Sequence, residues 1–286
     1  MEEPIKPRNP RALARGKTPH ERAHDKEEQS LTWIYRWGFT TPATLEILMK
    51  LPRSAVAKLV DRLVDRERLR VIPSPSSFGF WRYEVIDGKR RRTGPYLLVL
   101  TDVGAAMASN LSPRPHAYEL NPNRLNADKV RHDLLCQRAV AGLMASGEYA
   151  NYFPESYINS WSESGIKQPD CILLKNLPPP AGAPDAKPAQ RRTALEIELT
   201  PKNGRRLDQA LSRVGELLSK GQIQKVMYLM ASKWAAEAYA ERWSKPIQRW
   251  TKDSRGHWVE DGTDDFNKVR QAVTFIHDKE LMADPI

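Results

Sequence analysis

Between Arg53 and Leu69 the chain holds a helical period with one apolar face, and the next residues turn abruptly into β-branched and aromatic runs. In RSAVAKLVDRLVDRERL, Val56, Leu59, Val60, Leu63 and Val64 recur at i, i+3, i+4, i+7 and i+8, the signature of a helix packed on one side. The opposite face carries Arg53, Ser54, Lys58, Asp61 and Arg62. Upstream, TTPATLEILMKL offers Thr41 as an N-cap and Pro42 as a first helical residue, Pro52 ends that helix, and Leu31 to Trp37 is a short helical stretch before it. Downstream, LRVIP, FWRYEVI and YLLVL are strands separated by turn signals. Two helices joined by a short turn, the second with a basic first turn, match the arrangement in which the second helix enters a major groove. Arg53, Ser54, Lys58 and Arg62 are then expected to face DNA. The hairpin that follows has DGKRRRTG at its tip, with Asp87-Gly88 as the turn and Lys89, Arg90, Arg91 and Arg92 as a cationic run for phosphates or the minor groove.

Charge agrees with that reading. Lys and Arg number 45 against 35 Asp and Glu, a formal +10, which favours a polyanionic partner. The excess is concentrated between residues 31 and 125, with 15 basic and 8 acidic side chains. The longest apolar stretches, Tyr96 to Leu100 and Val226 to Ala231, are far short of the ~20 residues of a spanning helix, and MEEPIKPRNP does not resemble a signal peptide. The expectation is a cytoplasmic protein with no membrane partner. Cys136 and Cys171 form no CxxC and are read as core residues, without disulfide or zinc. Composition divides the chain into a disordered basic arm (1–29), a DNA-binding domain (30–110), a proline-marked linker (111–127) and a second domain (128–286).

The second domain opens with a long helix after Asp128, followed by PDCILL, the loop NLPPPAGAPDAKPAQRR, the strand TALEIELTPK, a helix from Arg205 to Ser219, the strand KVMYLMA and a helix near Trp234 to Trp243. This order predicts an α/β arrangement around a small mixed sheet. Strand alternation puts Leu195, Ile197 and Leu199 on one face and Glu196 with Glu198 on the other. If PDCILL is the neighbouring strand, Asp170 joins them at one end of the sheet. Three carboxylates held together call for a cation, and hard oxygen ligands suit Mg²⁺ or Mn²⁺, which can activate water against a phosphodiester. Lys202 is positioned to stabilise transition-state charge.

Pro169-Asp170, Glu196-Ile-Glu198 and Lys202 together resemble the PD-(D/E)XK nuclease superfamily. The pattern departs from it in one place, because the family's lysine sits two residues after the second acid, where this chain has Glu198; Lys202 substitutes only by folding back. The Tyr96–Gly104 segment YLLVLTDVG resembles the ending of many winged-helix domains. A winged helix joined to a Glu-x-Glu variant of the nuclease motif resembles the plasmid replication-relaxation family and the related MOB-C class of relaxases, over about residues 30–235. The resemblance implies a two-domain α/β protein, an N-terminal winged helix followed by a restriction-endonuclease-like mixed sheet flanked by helices. It implies a catalytic set of Asp170, Glu196, Glu198 and Lys202, with Asp170, Glu196 and Glu198 holding the metal. The implied activity is relaxase-like nicking or processing of a recognised site on a plasmid or other mobile element. Double-stranded DNA is the expected partner, the resemblance adds other relaxosome or replication proteins, and the choice between monomer and homodimer is left open. His132 stands where that family often has a histidine, and Glu155 is a further acidic candidate.

A different class of reading competes with this one. Glu196 and Glu198 are also what the wet face of any half-buried strand looks like, and a nuclease fold without the usual lysine is compatible with an inactive accessory protein acting in a relaxosome or in replication or transcription control. Gly16-Lys17-Thr18 is not the end of a P-loop, because position 11 is Arg11 rather than glycine. Residues 244–286, with Trp250 and Trp258 around polar turns, suggest a terminal hairpin without an evident function.

Overall fold

Thr18 starts the first helix through a reciprocal cap: its hydroxyl accepts from the Glu21 amide while the Glu21 carboxylate accepts from the Thr18 amide. In the computed structural model, which describes residues 17–73, 82–86, 89–93, 96–125, 127–159, 168–177 and 189–279, this helix, α1, runs Pro19–Trp37. Residues 19–29, expected in a disordered arm, are therefore helical, while 1–16 lie outside the described residues. The T-x-x-E cap is local and was available in the sequence; buried Leu31, Trp33, Ile34 and Tyr35 give the helix its anchor.

Helix α2 (Pro42–Met49) is capped by the Thr41 side chain, as expected, and ends at Lys50 in the left-handed region. Helix α3 (Arg53–Asp65) buries Val56, Leu59, Val60 and Leu63, whereas Val64, assigned to the same face, is 38% exposed. Strands β1 (Leu69–Pro73) and β4 (Tyr96–Leu100) pair antiparallel, and β2 (Arg82–Ile86) pairs antiparallel with β3 (Lys89–Thr93) between them in sequence. Lys89 to Arg92 thus belong to a strand rather than to the hairpin tip; Asp87-Gly88 lies outside the described residues. Thr101 caps α4 (Asp102–Leu111) through the Gly104 amide. Gly104 is required by close approach: a Cβ there would stand 2.0 Å from the Arg68 carbonyl oxygen.

The second half begins with α5 (Ala127–Ser146), then β5 (Asn151–Pro154), α6 (Glu155–Asn159), β6 (Cys171–Asn176), β7 (Gln190–Glu198), α7 (Gly204–Ser219), β8 (Lys225–Met230) and α8 (Lys233–Trp243). A hairpin of β9 (Ile247–Lys252) and β10 (Trp258–Asp264) and the edge strand β11 (Val273–Ile276) complete it. The central sheet has the order β11-β8-β7-β6-β5, with β5, β6 and β7 antiparallel and β7, β8 and β11 parallel. The chain is therefore mixed α/β, with eight α-helices among the described residues. Strands β5 and β11 were not anticipated; at four residues each they are too short for a clear alternation. No helix among the described residues is long and apolar enough to cross a membrane.

The halves share one core. Leu31, Trp33, Leu45 and Leu59 lie in the same buried cluster as Leu135, Tyr152, Leu173 and Leu195. Gln137 on α5, fully buried, accepts from Trp33 Nε1 (3.1 Å) and Thr40 Oγ1 (2.7 Å) and donates to the Phe39 carbonyl (3.0 Å). The segment expected as a linker is also tied down: Tyr118 donates to the Gly38 carbonyl and accepts from the Leu100 amide, and Tyr35 bonds both backbone groups of His116. Cys136 and Cys171 are buried core residues whose thiols are pushed up by burial, out of the reactive range.

Candidate functional site

Two regions carry the residues singled out in the sequence. The first is the outer face of α3. Pro52 provides no side-chain cap, and its carbonyl accepts from the Ala55 and Val56 amides. Arg53, Ser54 and Lys58 are exposed there, and neither Arg53 nor Lys58 makes an ion pair among the described residues. Arg62 differs from its expected role. Its Nε lies 2.7 Å from a carboxylate oxygen of Glu27 on α1, so the charge is engaged inside the protein, although 38% of the side chain stays exposed. Glu27 also receives Arg66 and Arg68. The basic strand β3 lies in the ribbon that follows.

The second region is the end of the central sheet where β6 begins and β7 finishes. Residue 170 precedes β6, so at this level no strand backbone faces Ile197 from that side. The Asp170 side chain takes its place: Oδ2 accepts from the Ile197 amide at 2.7 Å and lies 3.2 Å from His132 Nε2. The same nitrogen is 3.2 Å from the Ile197 carbonyl, and His132 Nδ1 is 3.2 Å from Asp133 Oδ1. Burial opposes charge on His132, but the carboxylates of Asp133 and Asp170 outweigh it and push the imidazole up to about 10. A cation therefore sits where the Asp170 carboxylate and the Ile197 carbonyl converge.

Glu196 and Glu198 take other directions. Leu195 and Ile197 pack in the core shared with α5, while Ala194, of the same parity as the glutamates, packs with α7 and α8. Both carboxylates accordingly face the α7–α8 side, but two residues along a strand separate their Cα atoms by about 7 Å. Glu198, buried, accepts from Tyr239 Oη at 3.1 Å and is paired with the Lys202 ammonium. Lys202 does fold back from the end of β7, and its amide donates to Tyr239 Oη at 2.8 Å. Burial, then the Glu198 carboxylate, raises the Tyr239 phenol, so it remains a donor. Glu196 is half-buried and lines a cavity of about 190 Å³ with Gln168, Pro169, Lys202, Arg213 and Tyr228. Burial lowers the Arg213 guanidinium, with Glu196 and Glu155 opposing it.

Asp170 instead lines a small recess on the α5 side with Lys129, His132, Asp133 and Glu155, where Lys129 Nζ and Glu155 Oε2 are 3.0 Å apart. The three carboxylates share one end of the sheet and do not converge on one point. Among the described residues, no group of three His, Cys, Asp or Glu is disposed to hold a metal ion. The arrangement does not fit the expected three-carboxylate Mg²⁺ or Mn²⁺ centre: the Asp170 oxygen is spent on a backbone amide and an imidazole, and the Glu198 charge is neutralised by Lys202.

Sequence reasoning missed Asp133, Arg213 and Tyr239, which come from three different helices and carry no local motif. It also missed Glu27, whose significance depends on arginines 35 to 41 residues away. Neither a family model, nor a curated protein, nor a solved structure matches the chain.

Proposed function

We propose that the protein binds duplex DNA, using α3 as the reading helix of a winged helix whose wing is the β2–β3 ribbon, and that the residues from α5 onward form a PD-(D/E)XK-type core placed rigidly beside it. The observation that carries the reading is the outer face of α3: Arg53, Ser54 and Lys58 are exposed on a helix that buries Val56, Leu59, Val60 and Leu63 on its inner face, followed by an antiparallel ribbon with four consecutive basic residues. An exposed cationic helix face without internal partners is the electrostatic footprint of a polyanion site. The nuclease-type assignment is supported by the succession α5, β5, β6, β7, α7, β8, with two antiparallel pairings and then a parallel one.

A second reading, relaxase-like phosphodiester cleavage on a plasmid or mobile element, is favoured by one observation. Lys202, displaced in sequence from the family's position, returns to the second acid of the Glu-x-Glu pair and lines the same cavity as Glu196.

Binding is tested by fluorescence anisotropy with duplexes from a randomised pool. The expected result is an affinity whose logarithm falls linearly with the logarithm of salt, a sequence preference relaxed by Arg53→Ala or Lys58→Ala, and a uniform weakening when Lys89 to Arg92 are neutralised. No binding at low salt refutes the proposal. For cleavage, supercoiled plasmid is incubated with Mg²⁺, Mn²⁺ or EDTA. Open circles that Glu196→Gln abolishes support catalysis; DNA binding without nicking makes the second half an inactive nuclease-type scaffold.

A further inference from the structure

Glu27 pairs with three arginines. It lies on the inner side of α1 with 4% of its surface exposed. Arg66 donates to both of its oxygens (3.1 and 2.9 Å), Arg68 donates to Oε2 (2.8 Å), and Arg62 Nε stands 2.7 Å from Oε1. These arginines come from the last turn of α3, the turn after it and the residue before β1.

Charge accounting makes the cluster unusual. A buried carboxylate is compensated by one or two guanidinium forks, and a third cation adds repulsion without a further oxygen to satisfy. Three guanidinium charges against one carboxylate leave an excess of two. The side chains of Arg62 and Arg66 are 38% and 48% exposed, so both guanidinium-bearing side chains reach solvent, although the Arg62 Nε itself is buried. Asp61, Asp65 and Glu67 are exposed nearby and make no ion pair with the three arginines among the described residues. The cluster is a set of cations held in fixed geometry by a buried anion.

Its position fits a particular anion. Arg62 follows Ser54 by eight residues on α3, a rise of about 12 Å along the axis, and the major groove is about 12 Å wide. With the first turn of α3 at base edges, the arginines reach the phosphates at the groove wall. We infer that Arg62, Arg66 and Arg68, held by Glu27, form a clamp for a backbone phosphate of duplex DNA that fixes the register of α3 without reading sequence. The inference rests on the DNA-binding reading above and adds a contact site to it. Arg62 thereby returns to the interface as a phosphate group held from behind, instead of a base reader.

The test is a salt titration of fluorescein-labelled duplexes of mixed sequence with the full-length protein, comparing Arg66→Ala, Arg66→Lys, Arg68→Ala and, as a remote control, Arg249→Ala. The clamp predicts that Arg66→Ala and Arg68→Ala each reduce the salt slope by about 0.9, about eightfold in affinity at about 0.1 M salt, equally for every sequence. Arg66→Lys keeps the slope because the charge is retained, and Arg249→Ala leaves slope and affinity unchanged. Thermal unfolding of each variant confirms the folded state, and Arg66→Gln replaces any alanine variant that does not fold. Unchanged slopes in folded variants of a protein that binds duplex overturn the clamp alone. Absence of duplex binding by the wild type overturns the clamp together with the DNA-binding reading.

Discussion

Replacing Asp170 separates a structural duty from a chemical one. Its side chain, 5% exposed, holds the Ile197 amide at 2.7 Å and faces the His132 imidazolium at 3.2 Å. Asp170→Ala leaves a buried amide that no strand carbonyl can reach, because β6 starts one residue later. A hydrogen bond to a charged group contributes about 1.5–3 kcal/mol, and an orphaned buried donor costs about 1–3 kcal/mol. Breaking a fully buried ion pair costs about 3–5 kcal/mol, but His132 keeps Asp133 and is 23% exposed, so only part of that applies. Together these give about 3–4 kcal/mol for Asp170→Ala, a large share of the ~5–15 kcal/mol that holds a domain together. Asp170→Asn keeps a carbonyl oxygen for the amide and loses only the charge, for about 1–2 kcal/mol. Urea unfolding followed by tryptophan fluorescence, with Trp33 and Trp37 buried as reporters, reads the difference as a shift in midpoint at constant slope. If the two variants unfold at the same urea concentration, the carboxylate does not support the backbone of β7. The Asp170 carboxylate then belongs with the candidate metal ligands. The same numbers mean that lost nicking in Asp170→Ala has no catalytic meaning unless Asp170→Asn shows it too.

Other consequences are open to simple measurements. His132 carries a pKa raised to about 10 against 6.5 unfolded, so its contribution to stability is complete below about pH 6.5 and is lost as pH rises toward 10. The stability gap between wild type and His132→Asn should therefore narrow over that window, and a constant gap would contradict the protonated imidazole. Gly104→Ala drives a methyl to 2.0 Å from the Arg68 carbonyl, and the forced separation of α4 from β1 should cost about 1–3 kcal/mol; a melting temperature equal to wild type would refute the close approach. Gln137→Ala removes the acceptor of the Trp33 indole and the Thr40 hydroxyl and the donor to the Phe39 carbonyl, leaving the Trp33–Thr40 bond in place, so it should cost about 1–3 kcal/mol. Because the halves share a core, that variant and the wild type should each unfold in one calorimetric transition. Two resolved transitions in the wild type would show that the halves are independent.

Much of the local architecture was legible residue by residue. The period of α3, the Thr41 cap, the alternation that sends Leu195 and Ile197 one way and Glu196 and Glu198 the other, and the return of Lys202 to the second acid all follow from interactions within a few positions. The Thr18 capping box is equally local, and the composition of the arm obscured it. The short strands β5 and β11 gave no such signal, because four residues in a sheet are defined by the strand they pair with.

The fate of each charge was settled elsewhere. Nothing near Arg62 in sequence announces Glu27, nothing near Asp170 announces His132 and the Ile197 amide, and nothing near Trp33 announces Gln137. The sequence by itself determined the longer periodic helices and strands and the charges they carry, since backbone propensity and side-chain period act over one or two turns. Which of those charges are free to meet a ligand and which are consumed inside the protein was decided only by the tertiary structure. A buried ionic group must find a partner wherever the packed chain brings one, at any distance in sequence.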